Sequence, residues 1–210
     1  MTDFSLQVIS LEKSFGRRLV FSGINFSLDK PGVFGISGPN GSGKSTLIKI
    51  LAGINSPSRG KVNHSYEGKE IISEKLHNHI GFVSPYLVLY DEFSAWENLN
   101  YFASIRNILF DKAKVENLLD QFLLLNRKDD LVKAYSSGMK QRLKFIFALM
   151  HSPQFIFLDE PTSNLDDEGK QTVYGLIKSE SGKSIVVVAS NEKYDLANCD
   201  ELLDLNNYKS

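Results

Sequence analysis

The chain lacks the features that mark secreted, membrane-spanning or nucleic-acid-binding proteins. Its single cysteine, Cys199, excludes an internal disulfide and suits a reducing compartment. Its formal net charge is −1, so no basic field predicts a nucleic-acid partner. No stretch approaches the roughly 18 uncharged apolar residues that a membrane-spanning helix needs. We therefore expect an intracellular protein, soluble by itself, whose 210 residues form one domain or a domain with an inserted lobe.

The hydrophobic pattern predicts an α/β fold. Alternating segments at 6–15 and 19–28 predict a hairpin, and 33–37, Val62 and 80–83 have strand character. Continuous apolar runs at 155–158 and 185–188 are typical of parallel strands that are buried on both faces. The predicted helices are 43–51, a segment around 96–103, 113–125, 137–150 with Ser136 or Ser137 as its cap, and 167–179.

Residues 38–46 match a phosphate-binding loop between an apolar strand and an amphipathic helix. They are Gly38, Pro39, Asn40, Gly41, Ser42, Gly43, Lys44, Ser45 and Thr46. Glycines let successive backbone N–H groups turn inward toward an anion, and the following helix N-terminus adds partial positive charge. Lys44 can reach the outer phosphates, and the Ser45 hydroxyl can bind Mg²⁺. The loop predicts that the chain binds a nucleoside triphosphate.

Two carboxylates end the apolar run at 155–158. Asp159 lies where it can hold the Mg²⁺ that Ser45 also binds, and Glu160 can polarise the water that attacks the γ-phosphate. Acidic pairs also close strands for structural reasons. The phosphate loop upstream favours the functional interpretation.

Two further segments carry a resemblance to a known family. Ser136-Ser137-Gly138-Met139-Lys140-Gln141-Arg142 lies between the phosphate loop and the acidic pair, and Pro161-Thr162-Ser163-Asn164-Leu165-Asp166 follows the pair. With the phosphate loop, their order and spacing resemble the nucleotide-binding subunit of ATP-binding-cassette (ABC) transporters over nearly the whole chain.

The resemblance implies an architecture. The chain is expected to be a P-loop NTPase of ABC type, with a mostly parallel core sheet, an N-terminal antiparallel β-subdomain and an inserted helical subdomain. Residues 1–210 would form a single ABC ATPase domain. Within it, 1–84 and 148–210 would form the nucleotide-binding core, and 85–147 the helical subdomain.

The resemblance also implies ligands and partners. ATP and Mg²⁺ would be the cofactors, with Phe15 stacking on adenine; the alternative for Phe15 is an ordinary strand-end core residue. Ser136 and Gly138 would contact the γ-phosphate of the opposite subunit in a head-to-tail homodimer or pseudo-dimer, and Asp166 would couple its two sites. The pore would be an integral membrane permease on a separate chain, which would hold this one at the cytoplasmic face of the cell membrane.

Three departures from the family pattern bear on catalysis. Pro85 stands where a glutamine normally contacts Mg²⁺ and water, so that contact is either missing or supplied by Ser84. Asn191 stands where a catalytic histidine is usual; it can hydrogen-bond a γ-phosphate but cannot become cationic. Ser137 and Met139 replace the commonest signature residues. The first two departures weaken the expectation of fast hydrolysis and leave nucleotide binding untouched.

Several alternatives stay open at this point. Chain length and residues 18–28 look similar to the small haem-exporter ATPase of cytochrome c maturation. An apolar cluster after Pro85 is either core or the docking surface for the membrane partner; it comprises Tyr86, Leu87, Leu89, Tyr90 and Phe93. A rival interpretation is a nucleotide-gated regulatory module with little hydrolysis, which Pro85 and Asn191 favour and Glu160 opposes.

Overall fold

The computed structural model describes residues 4–209, and in that range it contains nine strands and seven α-helices. The strands are β1 (Phe4–Phe15), β2 (Arg18–Leu28), β3 (Gly32–Ser37), β4 (Arg59–Tyr66), β5 (Lys69–Glu70), β6 (Ile80–Val83), β7 (Phe155–Asp159), β8 (Ile185–Ala189) and β9 (Glu201–Asp204). The helices are α1 (Lys44–Leu51), α2 (Ser73–Leu76), α3 (Ala95–Ile105), α4 (Lys112–Gln121), α5 (Ser137–Leu149), α6 (Asp167–Glu180) and α7 (Lys193–Leu196).

The first sheet is antiparallel and has the strand order β2-β1-β4-β5. Gly16, in the left-handed region at φ 58°, makes the tight turn between β1 and β2. The predicted hairpin is therefore confirmed, with Phe15 opposite Arg18 at its closed end.

The second sheet is parallel and has the strand order β6-β7-β8-β3-β9. All residues of β7 and β8 are buried, as their apolar runs predict. Successive residues of these strands enter two different cores: Val186 and Val188 pack with the helices α3 to α6, whereas Val187 packs with α1 and the antiparallel sheet. The parallel sheet is thus the central layer, and its strand ends carry the polar residues of the site.

Helices α3, α4 and α5 follow one another between β6 and β7, as expected for an inserted helical segment. Ser94 caps α3 in a reciprocal capping box with Glu97, and Ser136, rather than Ser137, caps α5. Helix α5 packs on β6 as well as on α3 and α4. This helix spans the predicted boundary at 147/148. The division of the chain into 1–84, 85–147 and 148–210 stays a prediction, and residues 1–3 and 210 lie outside the described residues.

Two local predictions needed correction. The helix expected over 113–125 ends at Gln121, because Phe122 turns into the core and Leu123 adopts φ 57°, which a helix cannot continue through. The short strand β9, beside β3 at the sheet edge, was not predicted. Across residues 4–209, none of the helices has the length and apolar character needed to cross a membrane.

Candidate active site

The phosphate loop joins the end of β3 to the start of α1. Gly38, Gly41 and Gly43 have φ values of 147°, 76° and 106°, in the left-handed region that favours glycine. A Cβ on Gly43 would lie 2.5 Å from Val20 Cγ1, so any side chain would be both strained and crowded. Gly43 is also the N-cap of α1 and offers no side chain to the first amides of the helix. Those amides are therefore available to an anion.

Lys44 lies folded back over the loop and is only 5% exposed. Its Nζ donates to the carbonyl oxygens of Gly38, at 2.8 Å, and Pro39, at 3.3 Å. The same Nζ lies 3.8 Å from Glu160 Oε1. A buried ammonium with two neutral acceptors and one carboxylate can redirect its protons to incoming phosphate oxygens.

Ser45 and Asp159 are 114 residues apart in the chain and meet at the bottom of the loop. Ser45 Oγ donates to Asp159 Oδ1 at 2.9 Å, and Ser84 Oγ donates to Asp159 Oδ2 at 3.5 Å. Asp159 is fully buried, and burial raises the pKa of its carboxyl group, against the smaller lowering effect of the Ser45 hydrogen bond. In the described part of the chain no lysine or arginine forms an ion pair with it.

This oxygen-rich arrangement fits Mg²⁺. Two hydroxyl oxygens and a buried carboxylate without a cation are the hard donors that Mg²⁺ prefers, and Mg²⁺ completes its shell with water and phosphate. Ser45 and Asp159 would hold the ion, and Ser84 would stand beside it.

Glu160 follows β7 directly and has φ 48°, an unusual value for a residue other than glycine. Its backbone N–H donates to Ala189 O at 2.8 Å, which fixes the turn between the ends of β7 and β8. Burial raises the pKa of the Glu160 carboxyl group, and Lys44 acts in the opposite direction. A carboxylate with raised basicity beside a phosphate-binding loop can accept a proton from water.

Asn191 lies just after β8, the strand between β7 and β3 in the parallel sheet. Its Nδ2 donates to Asn40 Oδ1 at 3.0 Å, so the strand end is joined directly to the loop. The amide can exchange this partner for a phosphate oxygen without any change of charge.

The cavity in front of the loop has a volume of about 690 Å³. The residues predicted from the sequence that line it are Phe15, Asn40, Gly41, Gly43, Lys44, Ser45, Thr46, Asp159, Glu160 and Asn191. Gly38, Pro39 and Ser42 belong to the loop but do not line this cavity: the first two present carbonyl groups to Lys44, and Ser42 is buried.

Phe15 lies at the mouth of this cavity and is 55% exposed. The Nζ of Lys13 lies 4.8 Å from the centre of its ring. An exposed ring at the cavity mouth, rather than one buried in the core, fits the prediction that it stacks on a base.

Ser136 and Gly138 do not line the cavity. They lie at the N-terminus of α5, where Ser136 Oγ accepts from Met139 N at 3.2 Å. The structure of one chain therefore does not bring the signature residues to its own phosphate loop. The resemblance assigns them to the opposite subunit, and this arrangement of one chain is compatible with that assignment.

Arg18, Val20 and Ser163 line the cavity and were not predicted as site residues. Lys144, which is buried in α5 beside the site, was also missed from the sequence. Its Nζ donates to Ser84 O at 3.2 Å and to Pro85 O at 2.7 Å, which fixes the loop where the usual glutamine is absent. Burial lowers the pKa of this lysine. The sequence does contain a signal for it, because Lys144 is a charged residue in the otherwise apolar run 143–150.

Comparisons with known proteins agree with this geometry. The family model for ABC transporters matches residues 21–163. The lantibiotic transport ATP-binding protein SrtF of Streptococcus pyogenes is 33% identical over 186 residues, covering 89% of this chain and 79% of its own length. The Nod factor export ATP-binding protein I of Bradyrhizobium diazoefficiens is 32% identical over 209 residues, covering 96% and 67%.

Solved structures show the same fold. A putative ABC transporter ATP-binding protein from Pyrococcus furiosus superposes with a TM-score of 0.83 at 25% identity, covering 98% of this chain and all of the other. The expected fold class, a P-loop NTPase of ABC type, is confirmed. The chain therefore belongs to the ABC transporter family, as an ATP-binding subunit that hydrolyses ATP to drive transport.

Proposed function

We propose that this chain hydrolyses ATP between two head-to-tail copies, with Glu160 as the general base, and thereby drives an integral membrane permease on a separate chain. The observation that carries the proposal is the convergence of Lys44, Asp159 and Glu160 on one cavity. Lys44 would bind the phosphate groups, Asp159 the metal ion and Glu160 the attacking water.

In this mechanism Lys44 and the first amides of α1 bind the β- and γ-phosphates, and Phe15 stacks on adenine. Ser45 and Asp159 would hold Mg²⁺, which would supply positive charge to stabilise the phosphate oxygens. Glu160 accepts a proton from the attacking water, and Asn191 donates its amide N–H to the γ-phosphate. Each of these protein groups already lies at the wall of the cavity, so little reorganisation is needed.

The second copy would complete the site. Ser136 and Gly138 lie at a helix N-terminus and do not reach their own cavity, so their free amides and hydroxyl remain available to the γ-phosphate held by a partner. Asp166, which caps α6 by accepting from Gly169 N at 2.9 Å, would lie between the two sites.

The membrane partner would dock beside Pro85. Tyr86 and Tyr90 are 75% and 62% exposed, whereas Leu89 is only 8% exposed and belongs to the core. The cluster predicted from the sequence thus divides into one core residue, two half-buried residues (Leu87 and Phe93) and an exposed aromatic surface of the kind that binds partners. Through this contact the chain would lie at the cytoplasmic face of the membrane. Its similarity to the haem-exporter ATPase stays a prediction.

The dimer can be tested with Glu160→Gln, which removes the base and should trap bound ATP. With ATP and Mg²⁺ this variant should elute from size-exclusion chromatography with the mass of two chains, and without them as one. Adding Gly138→Asp should keep it a single chain, because a carboxylate would repel the partner's γ-phosphate. Adding Gly175→Asp instead, on the open face of α6, should leave the ATP-dependent dimer intact. A Glu160→Gln variant that stays a single chain with ATP would contradict the head-to-tail arrangement.

The second candidate is a nucleotide-gated regulatory module with little hydrolysis. Pro85 and Asn191 favour it, because the glutamine and histidine that usually contact water and phosphate are absent. The two candidates differ in turnover: phosphate release by the module should stay near background even when the membrane subunit is present.

A further inference from the structure

Asp195 is a buried carboxylate for which the mechanism above has no use. It lies in the short helix α7 and is only 5% exposed. Within residues 4–209 it forms no ion pair with a lysine, arginine or histidine. A buried carboxylate without a cation must have its oxygens satisfied by hydrogen-bond donors, and it therefore orders whatever supplies them.

Three hydroxyl groups from three elements supply those donors. Ser190 Oγ, directly after β8, donates to Asp195 Oδ2 at 2.7 Å. Thr162 Oγ1, two residues after Glu160, lies 2.9 Å from Oδ1 and 3.1 Å from Oδ2. Tyr174 OH, on α6, donates to Oδ1 at 3.0 Å. Asp195 therefore joins the chain segments that follow β7 and β8.

Both segments carry residues of the site. Ser190 Oγ also lies 3.2 Å from Glu160 Oε2, and it accepts from Glu192 N at 3.0 Å. A hydroxyl has one proton to donate, and the shorter contact places it on Asp195. Ser190 then donates no hydrogen bond to Glu160, so the Glu160 carboxylate is left free to accept a proton from water.

We propose that Asp195 is a positioning residue for ATP hydrolysis, whose carboxylate holds Ser190 and Thr162 so that Glu160 and Asn191 keep their places beside the phosphate loop. Asp195 does not line the cavity in front of the phosphate loop. The proposal rests on the proposed roles of Glu160 and Asn191. The ends of β7 and β8 would then be aligned by the Asp195 carboxylate as well as by their backbone hydrogen bonds.

The test separates the catalytic rate from ATP affinity. Asp195→Ala removes the acceptor, so Ser190 and Thr162 are no longer held and the rate should fall about 10- to 100-fold, as for other small misplacements of reacting groups. The dissociation constant of ATP should stay within about threefold, because Lys44 donates to Gly38 and Pro39 of the phosphate loop and not to Asp195, Ser190 or Thr162. A rate that stays at the wild-type level, or an affinity that falls in parallel with the rate, would overturn the proposal.

A matched pair at Thr162 covers the case in which Asp195→Ala does not fold. Thr162→Val keeps the shape but loses the hydroxyl and should slow hydrolysis, whereas Thr162→Ser keeps the hydroxyl and should restore most of the rate. Tyr174→Phe is the stability control. It removes a hydroxyl from Asp195 on the side of α6, so its melting temperature should fall while its rate stays close to that of the wild type. Equal rates for the two Thr162 variants would contradict the proposal.

Glu160→Gln, measured alongside, separates this proposal from the one on which it rests. If Glu160→Gln abolishes phosphate release while Asp195→Ala does not, only the positioning role fails. If Glu160→Gln hydrolyses ATP at the wild-type rate, the role of Glu160 fails first, and Asp195 has no base to position.

Discussion

Replacing Lys44 by alanine should weaken ATP binding more than any other single truncation in the phosphate loop. In the structure the Lys44 ammonium is held by two neutral carbonyl groups and lies 3.8 Å from Glu160 Oε1. Bound phosphate would replace these contacts by charge-assisted ones, which contribute roughly 1.5–3 kcal/mol. The variant should therefore lose about 10- to 150-fold in affinity.

The assay is a titration of ATP·Mg²⁺ against wild type, Lys44→Ala and a control, Lys49→Ala. Lys49 lies on the same helix, five residues further on, but its Nζ lies over the ring of Tyr86 at 5.3 Å. The control should bind ATP within about threefold of wild type, because Lys49 is half-buried and acts on Asp159 only through space, so removing it costs no phosphate hydrogen bond. Equal affinities for Lys44→Ala and wild type, or an equal loss in both variants, would refute the assignment of Lys44.

Two further predictions concern Asn191 and His64. Asn191→Ala should lower steady-state phosphate release by about tenfold or more, because a hydrogen bond to a charged phosphate is lost, whereas Asn191→His should preserve or raise it; equal rates in both variants and wild type would favour the regulatory module. Burial lowers the pKa of His64 to about 4, so the stability that its neutral form contributes is complete above pH 6.5 and is lost as pH falls toward 4. The melting temperature of wild type should therefore drop more steeply than that of His64→Gln between pH 7 and pH 4.5. Protonation of this one group lowers the free energy of unfolding by up to about 1.4 kcal/mol per pH unit. Parallel curves of melting temperature against pH would contradict this.

The parts of the site that could be predicted are those whose residues are neighbours in sequence. The phosphate loop and the pair Asp159-Glu160 each follow one apolar strand directly. These two strands, β3 and β7, are parallel and both pair with β8, so their carboxyl ends lie at the same edge of the sheet.

The parts that could not be predicted depend on packing between distant residues. Lys144 reaches Pro85 O only because α5 packs on β6, and Asp195 reaches Thr162 only because α7 follows β8 closely and packs on β3. Neither residue belongs to a recognisable motif. The end of α4 was misplaced for a similar reason: Phe122 lies at helical spacing from Leu118 and Leu124 is also apolar, yet tertiary packing draws both into the core after the helix has ended.

The most direct test of the central claim is steady-state phosphate release by wild type and Glu160→Gln at saturating ATP·Mg²⁺, with the membrane subunit present and ATP affinity measured in parallel. Glutamine keeps the shape of Glu160 but cannot accept the proton of water. The account predicts a fall in rate on the order of 10²- to 10⁴-fold at unchanged ATP affinity. Hydrolysis by Glu160→Gln at the wild-type rate would contradict it.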